Sequence, residues 1–315
     1  MVNYLYKSYA IFCNNSNFLE RTKINSVFRH IIQRLTNIMV PFWFNRTANN
    51  PQYRIDATQK TEGRIIASLT TFPARIDNIW IVIESILRQS QKPDMLFLWL
   101  SKEQFSSIDV LPKRLQNLQT RGLQIRLCDG DLRSHKKYYY VFREYPDHKV
   151  ITVDDDLIYP RNTIERLLSL SYQYPDTVCG NVIRKIRMDG NTFSVYRKWP
   201  KVFMMPVNSS LQNVAIGCGG IYYPSRWYGE ELFDWKIISE HCPFADDLWL
   251  KANELKRRIN VTGGGEFYPR PIELPQTQNN SLQKKNNGKI NLNDKQWKSL
   301  NELWKLDELY CINGK

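Results

Sequence analysis

The chain has 315 residues, 42% of them hydrophobic and 24% charged, which is enough apolar material for a large buried core and excludes a disordered or fibrous protein. Its 44 Lys and Arg against 31 Asp and Glu leave a formal charge of +13, so an anionic partner is expected: a nucleotide, a nucleic acid or an acidic membrane surface. Six scattered cysteines without a Cys-x-x-Cys pair argue against structural zinc or a disulfide framework, no window of 18 apolar residues suggests a span, and no secretory leader is recognisable; the expectation is a cytoplasmic protein with reduced thiols.

Residues 1–60 form a basic, aromatic extension in which Ile31, Ile32, Leu35, Ile38 and Met39 make an apolar face interrupted by Arg29, Arg34 and Arg46. Two readings of this segment stand open, a membrane-surface anchor that would dock the protein peripherally on the inner face of the membrane, and a helix packed on the next domain. A main domain is expected over 61–270. It opens with the short strand Arg64–Leu69, ending at Thr70-Thr71-Phe72-Pro73, and Ile76, Ile79, Ile83, Ile86 and Leu87 then recur at helical spacing. Strands follow at Met95–Leu100 and Leu123–Leu127, the latter leading into Cys128-Asp129-Gly130-Asp131, and Ser134–Tyr145 carries His135, Lys136 and Lys137. Strands alternating with helices predict a mainly parallel α/β sheet.

The decisive stretch is Lys149-Val150-Ile151-Thr152-Val153-Asp154-Asp155-Asp156, an apolar run of buried-strand character that stops at three carboxylates. Adjacent like charges repel, and a hard divalent cation with oxygen ligands, Mn²⁺ or Mg²⁺, is the natural counter-charge. A helix predicted over 160–174 puts the acids in a strand-to-helix loop, where open α/β sheets bind ligands. Alternation along an extended chain would turn Asp154 and Asp156 to one side and Asp155 away. Asp156 is therefore expected as the direct metal ligand, with Asp154 on the metal or on a ribose hydroxyl, while Arg75, Lys136 and Lys137 are available to balance phosphate charge.

After this helix the regular alternation ends, with strand-like pieces at Val178–Ile186 and Thr192–Tyr196. The glycine cluster Gly217-Cys218-Gly219-Gly220 follows, then Cys242-Pro243-Phe244-Ala245-Asp246-Asp247-Leu248-Trp249, which starts a helix with acids in its first turn and bases in its last. Residues 271–315 are expected as a polar tail, mobile from Pro275 to Lys295.

The hydrophobic strand with Asp-x-Asp, the preceding Ser-Leu-Thr-Thr-Phe-Pro-x-Arg and the following Ala-Asp-Asp-Leu-Trp resemble nucleotide-sugar glycosyltransferases of the GT-A fold, particularly bacterial polysaccharide enzymes, over roughly residues 63–270. That resemblance implies a UDP-linked sugar donor bound through Mn²⁺ or Mg²⁺ at Asp156, and a glycan or lipid-linked acceptor. By position it also implies Thr70, Thr71 and Arg75 beside the nucleotide, Asp129 facing the base, and Gly219 and Gly220 near the donor sugar or acceptor. Asp246-Asp247 matches the late acidic pair that supplies the base in inverting members; Asp247 is assigned that role, and a retaining enzyme would use the same pair to hold its substrates. A haloacid-dehalogenase-type phosphatase also uses Asp-x-Asp after a strand, but its nucleophile strand opens the domain, whereas three strands precede the acids here. A basic protein binding nucleic acid or a membrane surface is the non-enzymatic alternative; with no Lys/Arg block, nucleic acid is not the expected partner.

Overall fold

The computed structural model describes residues 1–13, 24–56, 62–202, 205–224, 228–264, 271–274 and 291–313. The first half alternates as expected. Helices α1 (Val2–Ile11) and α2 (Ile24–Arg46) precede β1 (Ile65–Thr70), α3 (Ile79–Leu87), β2 (Met95–Ser101), α4 (Lys113–Asn117), β3 (Leu123–Cys128), α5 (Lys136–Glu144) and β4 (Lys149–Thr152). A short β5 (Leu157–Ile158) and α6 (Thr163–Gln173) complete this half. The second half is cut finer: β6 (Val178–Gly180), β7 (Ile183–Lys185), β8 (Met188–Asp189), β9 (Thr192–Phe193), β10 (Lys201–Val202), β11 (Pro206–Ser210), β12 (Asn213–Ala215) and β13 (Ile221–Pro224). Helices α7 (Trp235–His241) and α8 (Asp246–Arg257), strands β14 (Val261–Gly264) and β15 (Ile272–Glu273), and helices α9 (Leu292–Trp304) and α10 (Leu306–Asn313) close the chain.

The central sheet has eight strands in the order β11-β14-β6-β13-β4-β1-β2-β3. It is parallel from β4 through β1 and β2 to β3, and β13 runs antiparallel between β4 and β6. This is the α/β architecture predicted from the alternating pattern, with helices over a mainly parallel sheet. The predicted Val178–Ile186 piece splits: β6 joins the central sheet, while β7 pairs with β10 and β12 in a separate three-stranded sheet. Thr192–Tyr196 is extended only to Phe193, and Tyr196 begins a 3-10 turn.

Both ends of the chain join the body. α3, predicted to bury one stripe, is buried on every side, because α2 covers it with Val40 and Phe44 and its one acid, Glu84, is neutralised by Arg88 and Arg121. Arg88 in turn donates to the Phe44 carbonyl and stacks over Phe44 and Tyr53. Residues 291–313 form helices that bury Trp297, Leu300 and Leu306 in the core cluster around α8; the expected polar tail is structure here, and its stretch 275–290 lies outside the described residues. Among the described residues no helix is long and apolar enough to cross a membrane.

Candidate active site

A cavity of about 430 Å³ opens where β1 and β4 run out and α8 begins. Its position is the one that open parallel sheets reserve for ligands, outside the carboxyl ends of their strands. Thr70, Thr71, Arg75, Lys136, Lys137, Asp154, Asp155, Asp156, Asp246 and Asp247 all line it. Residues from four segments far apart in sequence thus meet at one place.

The acid triplet is held differently from the simple alternation. Strand pairing stops at Thr152, so the two-residue periodicity no longer governs where the carboxylates turn. Asp155 is the most enclosed of the three: the Thr71 hydroxyl donates to it at 2.6 Å, and it pairs with the Arg75 guanidinium. Asp156 shares that arginine, at 3.1 Å from Nη2. Asp154 turns the other way and accepts from Lys137 Nζ at 2.7 Å. Asp155 and Asp156 therefore share one cation, and the expectation that Asp155 points away from Asp156 is corrected.

Two buried cations organise the charge. Arg75, set by the 3-10 turn Pro73–Arg75, is 6% exposed; burial alone would lower its proton affinity, and Asp155 and Asp156 raise it above the ordinary value. Lys137, in the first turn of α5, bridges Asp154 and Asp246, the latter at 2.8 Å. Burial disfavours its charge too, but Asp154, Asp246 and Asp247 overcome that and hold it firmly protonated. Lys136 is buried against Asp131 at 2.5 Å. Both lysines expected to meet phosphates thus already carry carboxylate partners.

The start of α5 is itself anchored by His135, fully buried between Tyr138 and Cys242. Its Nε2–H donates to the Cys242 carbonyl at 2.9 Å, so Nδ1 accepts from the Tyr138 hydroxyl, also at 2.9 Å. Burial depresses this ring's pKa to about 4, keeping it neutral.

At the head of α8, Asp246 and Asp247 differ in partner and in charge. Burial pushes Asp246 up, but Lys137 more than compensates and the carboxyl ends below its ordinary range. Asp247 is pushed far above it by burial and by the charge of Asp246, and its two oxygens accept from the Gly217 N–H at 3.2 Å. Gly217 lies between the two acidic groups: a Cβ there would come within 2.8 Å of Asp154 Oδ1 and 2.9 Å of Lys137 Nζ. A side chain there would displace the Asp154 carboxylate and the Lys137 ammonium.

Three residues expected at the site do not line the cavity. Asp129 is 89% exposed on its side chain, paired with Lys102 at 2.8 Å outside the cavity; beyond the turn at Gly130, Asp131 is the acid that reaches the lining. Gly219 and Gly220 do not border the cavity either. Gly219 is pressed against the Val182 backbone, where a Cβ would come within 2.7 Å of the nitrogen, and Gly220 holds a φ of +76° at the turn into β13. Sequence reasoning also missed Arg184, Tyr196 and Lys201 on the three-stranded-sheet side, Glu273 from β15 and Asn293 from α9. Arg184 stacks over the Tyr196 ring and donates to the Tyr196 and Trp199 carbonyls. These come from short irregular segments without a period or motif to mark them.

Among the described residues no three His, Cys, Asp or Glu side chains converge into an all-protein metal cage. Small hard cations of the Mg²⁺ type do not need one, being held by one or two carboxylates together with substrate phosphates and water. The donor set here is of that kind. Burial raises the Asp156 carboxyl to about 7 despite Arg75, with Asp155 and Asp154 adding repulsion, and a further cation beside it would favour its charged form.

No known protein-family profile and no curated protein matches the sequence. Among solved structures, the chain is similar to the mannosyltransferase PcManGT from Pyrobaculum calidifontis, in complex with GDP-Man and Mn²⁺. The TM-score is 0.40 at 12% identity, over 75% of this chain and 66% of that one.

Proposed function

We propose that the protein is a metal-dependent glycosyltransferase that moves a sugar from a nucleotide-diphosphate donor, UDP-linked, to a hydroxyl of a glycan or lipid-linked glycan. The observation that carries this reading is two acidic groups lining one cavity: the Asp154–Asp156 triplet, with Asp155 and Asp156 on Arg75, and Asp246–Asp247 at the head of α8, joined by Lys137, which bridges Asp154 to Asp246. A donor diphosphate needs positive charge at one end of such a cleft, and an incoming hydroxyl needs a proton acceptor at the other. Mn²⁺ or Mg²⁺ held by Asp156 would supply the charge that stabilises the departing diphosphate.

The chain's own residues do the rest. Thr71 and Arg75 fix Asp155 and leave Asp156 at the cavity wall. Lys137 holds Asp154 and Asp246 in place and keeps Asp246 ionised, so Asp246 acts through position rather than as proton acceptor. Asp247 is the base: no cation pairs with it directly among the described residues, its proton affinity is raised, and the Gly217 N–H orients its carboxylate. With acceptor oxygen, anomeric carbon and diphosphate held in line, transfer is a single displacement with inversion.

The test is a thermal-shift titration with UDP, GDP and their sugars, with and without Mn²⁺, followed by product analysis. A diphosphate stabilises the folded state by mass action, and the shift should need the metal. Equal melting temperatures under all conditions, or release of phosphate from simple esters, would refute the reading and in the second case favour a phosphatase.

A further inference from the structure

Among the described residues, the outer face of α2 has no partner. Val27, Ile31, Leu35, Ile38 and Phe42 recur at four- and three-residue spacing and so form one stripe along the helix. All five are exposed, Ile38 and Phe42 at 70%. Of the fifteen large apolar residues exposed among the described ones, eight lie on this single helix, so the stripe is a concentrated patch rather than the scattered surface apolarity of any protein.

We infer that this stripe docks the protein on an anionic lipid surface. The charge around it favours that occupant over the alternatives. Neither α1 nor α2 contains an aspartate or glutamate, while Lys7, Arg29, Arg34 and Arg46 all lie on them. Arg34 and Arg46 are exposed, and helical geometry puts Arg34 at one edge of the stripe and Arg46 beside Phe42 at its end. An apolar face bordered by cations, with aromatic rings and no acids, is the composition of a helix lying in the membrane interface. A second copy of the chain fits worse. Pairing stripe to stripe would bring arginines against arginines with no carboxylate on either helix to relieve them.

The opposite face of the same helix explains why it is rigid enough to present the stripe. Thr36, Val40 and Phe44 are buried, and the Gln33 and Asn37 amides donate to the Glu273 carbonyl at 3.3 and 3.1 Å. Glu273 lines the active-site cavity, and its strand β15 pairs with β5, directly after the acid triplet. Tyr6 of α1 fastens the same pair, donating to the Ile158 carbonyl and accepting from the Ile272 N–H. A surface seated on α2 therefore lies one layer behind a rim of the cleft.

The test is co-sedimentation of the full chain with phosphatidylcholine vesicles and with phosphatidylglycerol-rich vesicles, an assay independent of any transferase activity. The protein should bind the anionic vesicles and lose affinity as salt rises. Arg34→Gln and Arg46→Gln should each weaken binding about fivefold, and Ile31→Ser/Ile38→Ser/Phe42→Ser should weaken it at least tenfold. The arginine variants alter exposed side chains only, so they report even if the triple variant misfolds. Failure of the natural chain to bind, equal binding to both vesicle types, or a dimer that the triple variant dissolves would each overturn the inference.

Discussion

The two acidic groups of the cleft reach similar chemistry from different local structure. At the end of β4 the backbone leaves its sheet, and Asp155 and Asp156 depend on a guanidinium brought from the β1 side. At the head of α8 the carboxylates sit in the first helical turn, and Asp247 takes its hydrogen bond from a distant glycine N–H while Asp246 takes the lysine. In the first group burial raises the proton affinity of both Asp155 and Asp156 although they share Arg75; in the second it stays raised only at Asp247, while Lys137 lowers that of Asp246. What separates them is the source of charge, a bidentate fork shared within the first group and a single ammonium divided between the groups. The fork suits a site that must also hold a phosphate-bound cation; the shared ammonium fixes the distance between the two.

Substitutions can break this pairing of roles. The largest effect is expected at Asp247→Asn, which should lower kcat by about 10²–10⁴-fold while leaving donor affinity intact; equal turnover by variant and natural chain would remove Asp247 from the chemistry. Asp156→Ala acts on the other group and should abolish the Mn²⁺-dependent part of the melting shift seen with UDP. A metal-dependent shift that survives would move the metal site elsewhere.

The bridge between the groups should respond to pH through His135. The unfolded ring takes a proton near 6.5, but the buried ring only near 4. Between those values the unfolded chain binds the extra proton, so stability falls as pH falls, by roughly 3 kcal/mol across the window. Denaturant melts at pH 7 and pH 4.5 should show the slope, and His135→Gln should flatten it.

Gly217→Ala sharpens the comparison at its centre. The added methyl presses on Asp154 and Lys137 together and should cost about 1–3 kcal/mol of stability, with a matching loss of turnover. Asp129→Ala, outside the cavity, should change melting by less than about 0.5 kcal/mol and leave turnover unchanged.

Much of the scaffold was legible because its signals are local. β1 and β2 are nearly continuous apolar runs and β3 alternates, and the acids that follow β4 and those that open α8 stand next to or within their elements in sequence. The parts that were not legible depend on where the chain goes after a turn. Asp129 and Asp131 are two residues apart and look equivalent on paper, yet one reaches Lys102 in solvent and the other the cleft. Gly217 and Gly219 differ only in which neighbour presses on them, carboxylates for the first and the Val182 backbone for the second. Residues 291–313 read as tail because their buried positions are few, and only the aromatic groove formed by Phe193 and Trp199 shows what Trp297 is for.

The reversed direction of β13 has one more consequence. Because Ile221 lies opposite Thr152, the segment that introduces β13 arrives at the same edge where β4 departs. Gly217 is therefore anchored through β12 on one side and β13 on the other, on a tether only five residues long. A tether this short leaves little slack, so lengthening it by even one residue should shift the Gly217 N–H away from the Asp247 carboxylate that it holds.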